Sequence, residues 1–148
     1  MEYRITGAAD GEERQEIETL FNGAEEEFLP RFELESNDRL NIYLCKDLQE
    51  FLLRTGVSCW NGGHFVRRTL YLQRLAVLRE RGILQQTVTH EFLHYCIWRK
   101  AGNDCPVWLN EGLVLNLTGE AQSMDCFHKP TPGRIPMPNL DKFLRGKD

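Results

Sequence analysis

From Asp10 to Phe28 apolar side chains return at three- and four-residue steps, as Ile17, Leu20, Phe21, Ala24 and Phe28, with glutamates filling most places between them. That period matches the α-helix, so the segment is predicted as an amphipathic helix with an acidic outer face, ended by Pro30. Arg39-Leu40-Asn41-Ile42-Tyr43-Leu44 alternates polar and apolar instead, the two-residue period of a half-buried strand. Asp47 is placed to cap a short helix that carries Phe51, Leu52 and Leu53 and stops near Gly56. Trp60-Asn61-Gly62-Gly63 reads as a turn whose glycines tolerate positive φ. A second strand is expected over Thr69–Gln73, and Leu75 to Arg81 reads as a helical turn or a linking loop before Gly82.

The strongest helical pattern runs from Ile83 to Lys100, with Leu84, Val88, Phe92 and Cys96 on one stripe. Gly102-Asn103-Asp104 closes it. A further helix follows, capped by Asp104 or Cys105 with Pro106 near its first turn, carrying Trp108, Leu109, Leu113, Val114 and Leu117 and stopping at Gly119. Beyond it Pro130, Pro132, Pro136 and Pro138 rule out regular helix, and Asn139 to Leu144 reads as a final turn. The order helix, strand, helix, strand, helix, helix predicts an α+β fold with a small sheet. We expect a single domain over 1–148, with 1–35 an acidic amino-terminal helical segment and 120–148 a proline-rich tail.

Composition narrows the class. With 148 residues, 41% hydrophobic and 27% charged, the chain can bury a core without a metal or disulfide. It contains no run of 18 apolar residues and no basic, apolar start like a secretory signal, so a cytoplasmic protein without membrane contact is expected. The net charge of −4 is uneven: residues 1–35 carry 11 acidic and 3 basic side chains, which suits a solvated helix face. A pI near 5.6 lends nucleic-acid binding no support, and the Arg67-Arg68 pair does not change that. The cysteines are Cys45, Cys59, Cys96, Cys105 and Cys126, with no C-x-x-C spacing, so free thiols are favoured over a zinc ribbon or redox pair. Cys96 and Cys105 could approach across the helix turn.

Chemistry concentrates in the strongest helix. His90-Glu91-Phe92-Leu93-His94 is an H-E-x-x-H motif. Four residues bring His90 and His94 to one helix face, where two imidazoles can bind one Zn²⁺ at about 2.0–2.1 Å. Glu91, one residue along, can reach water activated by the metal without becoming a ligand, so it is the candidate general base. Two histidines at this spacing can also simply pair with carboxylates. Apolar neighbours Phe92, Leu93, Tyr95 and Ile97 argue for a buried helix, where histidines need partners. Glu111, 17 positions after His94 on the next helix, is the candidate third ligand, giving a His₂Glu set with an open position.

His90-Glu91-x-x-His94 followed by Pro106-x-Trp108-Leu109-Asn110-Glu111-Gly112-Leu113 resembles the gluzincin zinc metallopeptidases, and within them the small bacterial peptidase-MA-like domains. The resemblance is strongest over residues 85–118. It implies a zincin-like lobe with Zn²⁺ on His90, His94 and Glu111, Glu91 as general base, and hydrolysis of a peptide or protein substrate. It also implies that the strand near Thr69–Gln73 is the edge strand beside the cleft. Many members place a Tyr or His beyond the third ligand to steady the oxyanion; here the only later histidine is His128, which reads first as an exposed loop residue and is the candidate for that role. Members also place an acidic residue four positions after the glutamate ligand. Here that place is Leu115, leaving Asn116 or Glu120 to brace a histidine. Few residues follow Glu111, so little or no carboxyl-terminal lobe and an open, shallow cleft are expected.

Other residues read more plainly. His64 is assigned to a loop, Trp60, Trp98 and Trp108 to packing, and Tyr95 to the core. The alternative function is a non-catalytic zinc-binding domain that keeps the site for stability or for holding a peptide. An accidental motif without metal is the third reading.

Overall fold

A computed structural model describes residues 1–58 and 61–121. Cys59, Trp60, Cys126, His128 and the prolines after position 121 lie outside the described residues. Ten elements follow in chain order: β1 (Glu2–Gly7), α1 (Gly11–Phe28), a 3-10 turn (Pro30–Phe32), β2 (Arg39–Leu44), α2 (Leu48–Thr55), β3 (Gly63–Val66), β4 (Thr69–Leu72), α3 (Leu75–Glu80), α4 (Leu84–Ala101) and α5 (Val107–Thr118). The described fold is α+β, with five helices and one mixed four-stranded sheet. No helix among the described residues is long and apolar enough to cross a membrane.

The amino-terminal segment is not all helix. Glu2–Gly7 forms a strand whose pairing with β2 in parallel register sets Ile5 opposite Ile42. Its sequence, Glu-Tyr-Arg-Ile-Thr-Gly, has only two large apolar residues, and tertiary pairing decides its state. Gly7 ends it at φ +92°, where a Cβ would stand 2.3 Å from the Leu44 carbonyl oxygen. Asp10 then caps α1 in a reciprocal box with Glu13. Ile17, Phe21, Ala24 and Phe28 form its buried stripe.

The sheet order is β1-β2-β4-β3, with β4 parallel to β2 and antiparallel to β3. β4 is therefore internal, and the edge strands are β1 and β3. This corrects the expectation that the strand near Thr69–Gln73 lies at the edge. The β3–β4 hairpin turns on Arg67 and Arg68, at φ 51° and 66°. Such turns usually draw Asn or Gly, so no turn signal marked it. Gly62 and Gly63, expected to supply positive φ, do not adopt it. They matter for close approach instead. The stretch from Leu75 to Arg81, readable as a helical turn or a loop, contains helix α3, with Leu75 and Leu78 buried.

Leu40, Ile42 and Leu44 from β2 and Leu70 and Leu72 from β4 turn one face of the sheet into core, against α1 and α4. α4 is buried on more than one side: nine of its residues, including Phe92, Leu93, Tyr95 and Cys96, are buried. Cys45, Cys96 and Cys105 are separate thiols, and burial pushes the first two up to about 11 and about 12.

Asp38 anchors the carboxyl-terminal half of α4 to the start of β2. It accepts from the Tyr95 hydroxyl (3.1 Å) and the Arg39 backbone N–H (2.8 Å), with Arg99 Nε at 3.7 Å. Its burial opposes the charge, but these donors and the Arg99 and Arg68 cations outweigh it and hold the carboxyl below its ordinary value. A depressed folded-state pKa contributes stability above the unfolded value of about 3.9, lost as pH falls below it. Asp38→Asn should therefore lower stability by about 1–2 kcal/mol at pH 7 and by less at pH 3, read from urea midpoints at both pH values. Equal losses at the two pH values would contradict this account.

Candidate metal centre

α4 supplies His90, Glu91 and His94, and its rigid turn places the two imidazoles one above the other, ring centroids 4.9 Å apart. Gly102, at φ 61°, ends α4, and Pro106 opens α5 so that this helix folds back across the histidines. Glu111 arrives on α5 with one carboxylate oxygen 3.6 Å from His94 Nε2 and the other 4.0 Å from His90 Nε2. One ligand atom from each of His90, His94 and Glu111 lies within 4.8 Å of the others. A tetrahedral ion with bonds of about 2.0–2.1 Å needs ligand atoms about 3.4 Å apart, a contraction within reach of side-chain rotation. Glu111 is half exposed and has that freedom.

Both histidines are oriented from behind. His90 Nδ1–H donates to Glu120 Oε1 at 2.9 Å, and His94 Nδ1–H donates to Asn110 Oδ1 at 2.8 Å. Each bond engages Nδ1 and leaves Nε2 on the Glu111 side of the ring. Of the two braces considered from sequence, Glu120 takes the place and Asn116 does not. Asn110, which belongs to the Trp108–Leu113 motif but carries no role in it by sequence, is the second brace. The available signal was its position, one residue before Glu111 on the same helix.

The electrostatics follow from burial and these partners. Burial alone would push the His90 imidazole down, but the bond to Glu120 and the carboxylates of Glu91, Glu120 and Glu111 prevail and raise it. For His94 burial prevails and lowers it, against the opposing pull of Asn110 and Glu111. Glu120 is held below the usual carboxylate range: burial opposes its charge, and the bond to His90 overrides it.

Glu91 is almost fully buried, and its Oε2 has no hydrogen-bond partner. Desolvation pushes this carboxyl up to about 7, opposed by His90 and the Phe65 backbone N–H. Room for it is made by Gly63, where a Cβ would lie 2.7 Å from Glu91 Cγ. The neighbouring Gly62 is equally constrained, its Cβ position 2.6 Å from Thr87 Oγ1. The Gly-Gly pair thus lets the edge strand β3 press against the motif helix.

Two clefts flank the cluster and share Glu111. One, of about 370 Å³, is lined by His90, Glu91, Arg81 and Glu120. The other, of about 530 Å³, runs along β3 and is lined by His64, Phe65, Val66, His94 and Asn110. His64 is therefore no loop residue: it sits in β3, half-buried, with burial lowering its imidazole. Tyr95 is in the core as expected, and Trp98 packs against Phe65 and Tyr95. Trp108 departs from the packing expectation, being 56% exposed near the start of α5. His128, the candidate oxyanion residue, lies outside the described residues. No family model, curated protein or solved structure matches the chain.

Proposed function

We propose that the protein is a zinc-dependent peptidase of gluzincin type, with a zincin-like lobe, His90, His94 and Glu111 as metal ligands, and Glu91 as general base. The observation that carries the reading is the convergence of His90 Nε2, His94 Nε2 and the Glu111 carboxylate, with each imidazole held at Nδ1 by a partner behind it. Mixed nitrogen and oxygen donors with three protein ligands suit zinc in a catalytic rather than a closed site. Zinc bound there would supply Lewis acidity, polarising a carbonyl and lowering the pKa of water.

The chain's own residues account for the rest. Glu91 presents a buried, unpartnered oxygen, ready to accept a proton from the water that attacks the scissile carbonyl carbon. As the water oxygen adds, the carbonyl π pair moves onto its oxygen and the proton goes to Glu91. When the carbon–nitrogen bond breaks, Glu91 returns that proton to the departing amine. The open edge of β3 offers main-chain groups to which an extended peptide can add as a fifth strand.

The rival reading, a non-catalytic domain that keeps zinc for stability or peptide holding, gives no purpose to Glu91. A buried carboxylate oxygen without a partner costs stability, and a merely structural site gains nothing from it. The test is direct. Zinc-loaded protein incubated with a diverse peptide pool should generate new termini, detected by mass spectrometry, and a chelator should abolish them. Bound zinc that raises the melting temperature without any cleavage would establish the rival.

A further inference from the structure

Water addition places negative charge on the former carbonyl oxygen, and a site that stabilises that charge needs a donor aimed at it. The buried Glu91 carboxylate cannot serve, since it is engaged as the proton acceptor. Asn110 is committed to His94 through its side-chain oxygen. Arg81 lines the other cleft, beside His90 and Glu120, and is already engaged. His64 remains.

His64 lies on the edge strand β3, in the groove it shares with His94, Asn110 and Glu111. Three successive β3 residues, His64, Phe65 and Val66, line that groove. Its imidazole is half-buried and close enough to interact electrostatically with both Glu111 and His94. It is not one of the three groups whose ligand atoms converge. Among the described residues neither ring nitrogen has a hydrogen-bond partner. Its neighbours on the strand already serve the site: Gly63 makes room for Glu91, and the Phe65 N–H bonds to it. A desolvated ring with an uncommitted N–H, beside the metal cluster and on the strand where peptide would add, is chemically a donor waiting for an acceptor.

We infer that His64 donates a hydrogen bond to the scissile carbonyl oxygen of the substrate as that oxygen gains negative charge. This rests on the peptidase reading and assigns it a catalytic residue from ahead of the H-E-x-x-H motif. Neutral imidazole carries one N–H and the cation two, so the role requires no particular charge state.

The test uses the zinc-loaded full chain and a phosphinic peptide, whose tetrahedral anionic phosphorus resembles the charged species. Its planar control is the corresponding peptide carboxylate. Elemental analysis comes first, and His64→Phe should hold as much zinc as the parent. Calorimetric titration should then show the phosphinic peptide binding about 10²-fold more weakly to His64→Phe, with the carboxylate control unchanged. In hydrolysis assays kcat should fall about 10²–10³-fold with little change in KM, and His64→Gln should recover part of the loss. Should the phenylalanine variant not fold, His64→Val, compatible with a strand and lacking a donor, carries the same comparison. Parent-like affinity for the phosphinic peptide in the donor-free variant overturns the inference. So does zinc lost from it, which would make His64 a ligand. A parent protein that takes up no zinc sinks the peptidase reading itself, and this inference with it, before any peptide is added.

Discussion

Glu91→Gln should leave zinc binding intact and lower kcat about 10²–10⁴-fold, because glutamine keeps the shape of the side chain but cannot accept the proton from water. The same substitution makes a second, less obvious prediction for the metal-free protein. The wild-type carboxyl is buried, its Oε2 is unpartnered, and desolvation pushes it up to about 7. A neutral amide avoids the cost of burying charge, so the metal-free variant should be at least as stable as the parent. Zinc content by elemental analysis, hydrolysis of a cleaved peptide and a urea midpoint together decide the case. Parent-like hydrolysis would remove Glu91 from the mechanism. A stability loss beyond about 1 kcal/mol would instead show that its carboxylate holds the fold together.

Glu111→Ala separates metal binding from folding in the opposite sense. Its side chain is half exposed and its contacts in the fold are the two imidazoles, so truncation should change metal-free stability by less than about 1 kcal/mol. The effect should appear on adding zinc. An ion present at 100 times its Kd stabilises the native state by about 2.7 kcal/mol, a rise of about 10 °C in Tm for a domain of this size. The parent and Glu91→Gln should show that rise, and Glu111→Ala should not. One equivalent of zinc retained by Glu111→Ala would transfer the third ligand position to another group.

The helices were legible because their physics is local. Asp10, Asp47, Gly56, Gly102 and Gly119 mark element ends through caps and turns that a few neighbouring residues determine. The H-E-x-x-H spacing likewise carries its own geometry, since four residues make one helical turn. What the pattern concealed depends on long-range pairing. β1 is a strand because β2 accepts it, and nothing in Glu2–Gly7 alone requires that. The edge position of β3 follows from sheet order, which no local signal encodes, so Thr69–Leu72 was expected at the edge and His64 in a loop. Glu120 was readable only as one of two candidates because Leu115 displaced the expected brace. Its selection depends on where the chain runs after Gly119, whose left-handed φ of 78° ends α5. Asn110 was within sight, but only the docking of α5 on α4 shows which histidine it meets.

That docking has a kinetic consequence. Two of the three proposed ligands stand on α4, which is buried on several sides, while the third stands on α5, where Val114 is the single fully buried residue. Segments with little buried apolar surface open at lower free energy than the core does. A bound ion would therefore be released by the lifting of α5, with α4 and the sheet still folded, and the metal's residence time would report the local stability of one helix rather than that of the domain.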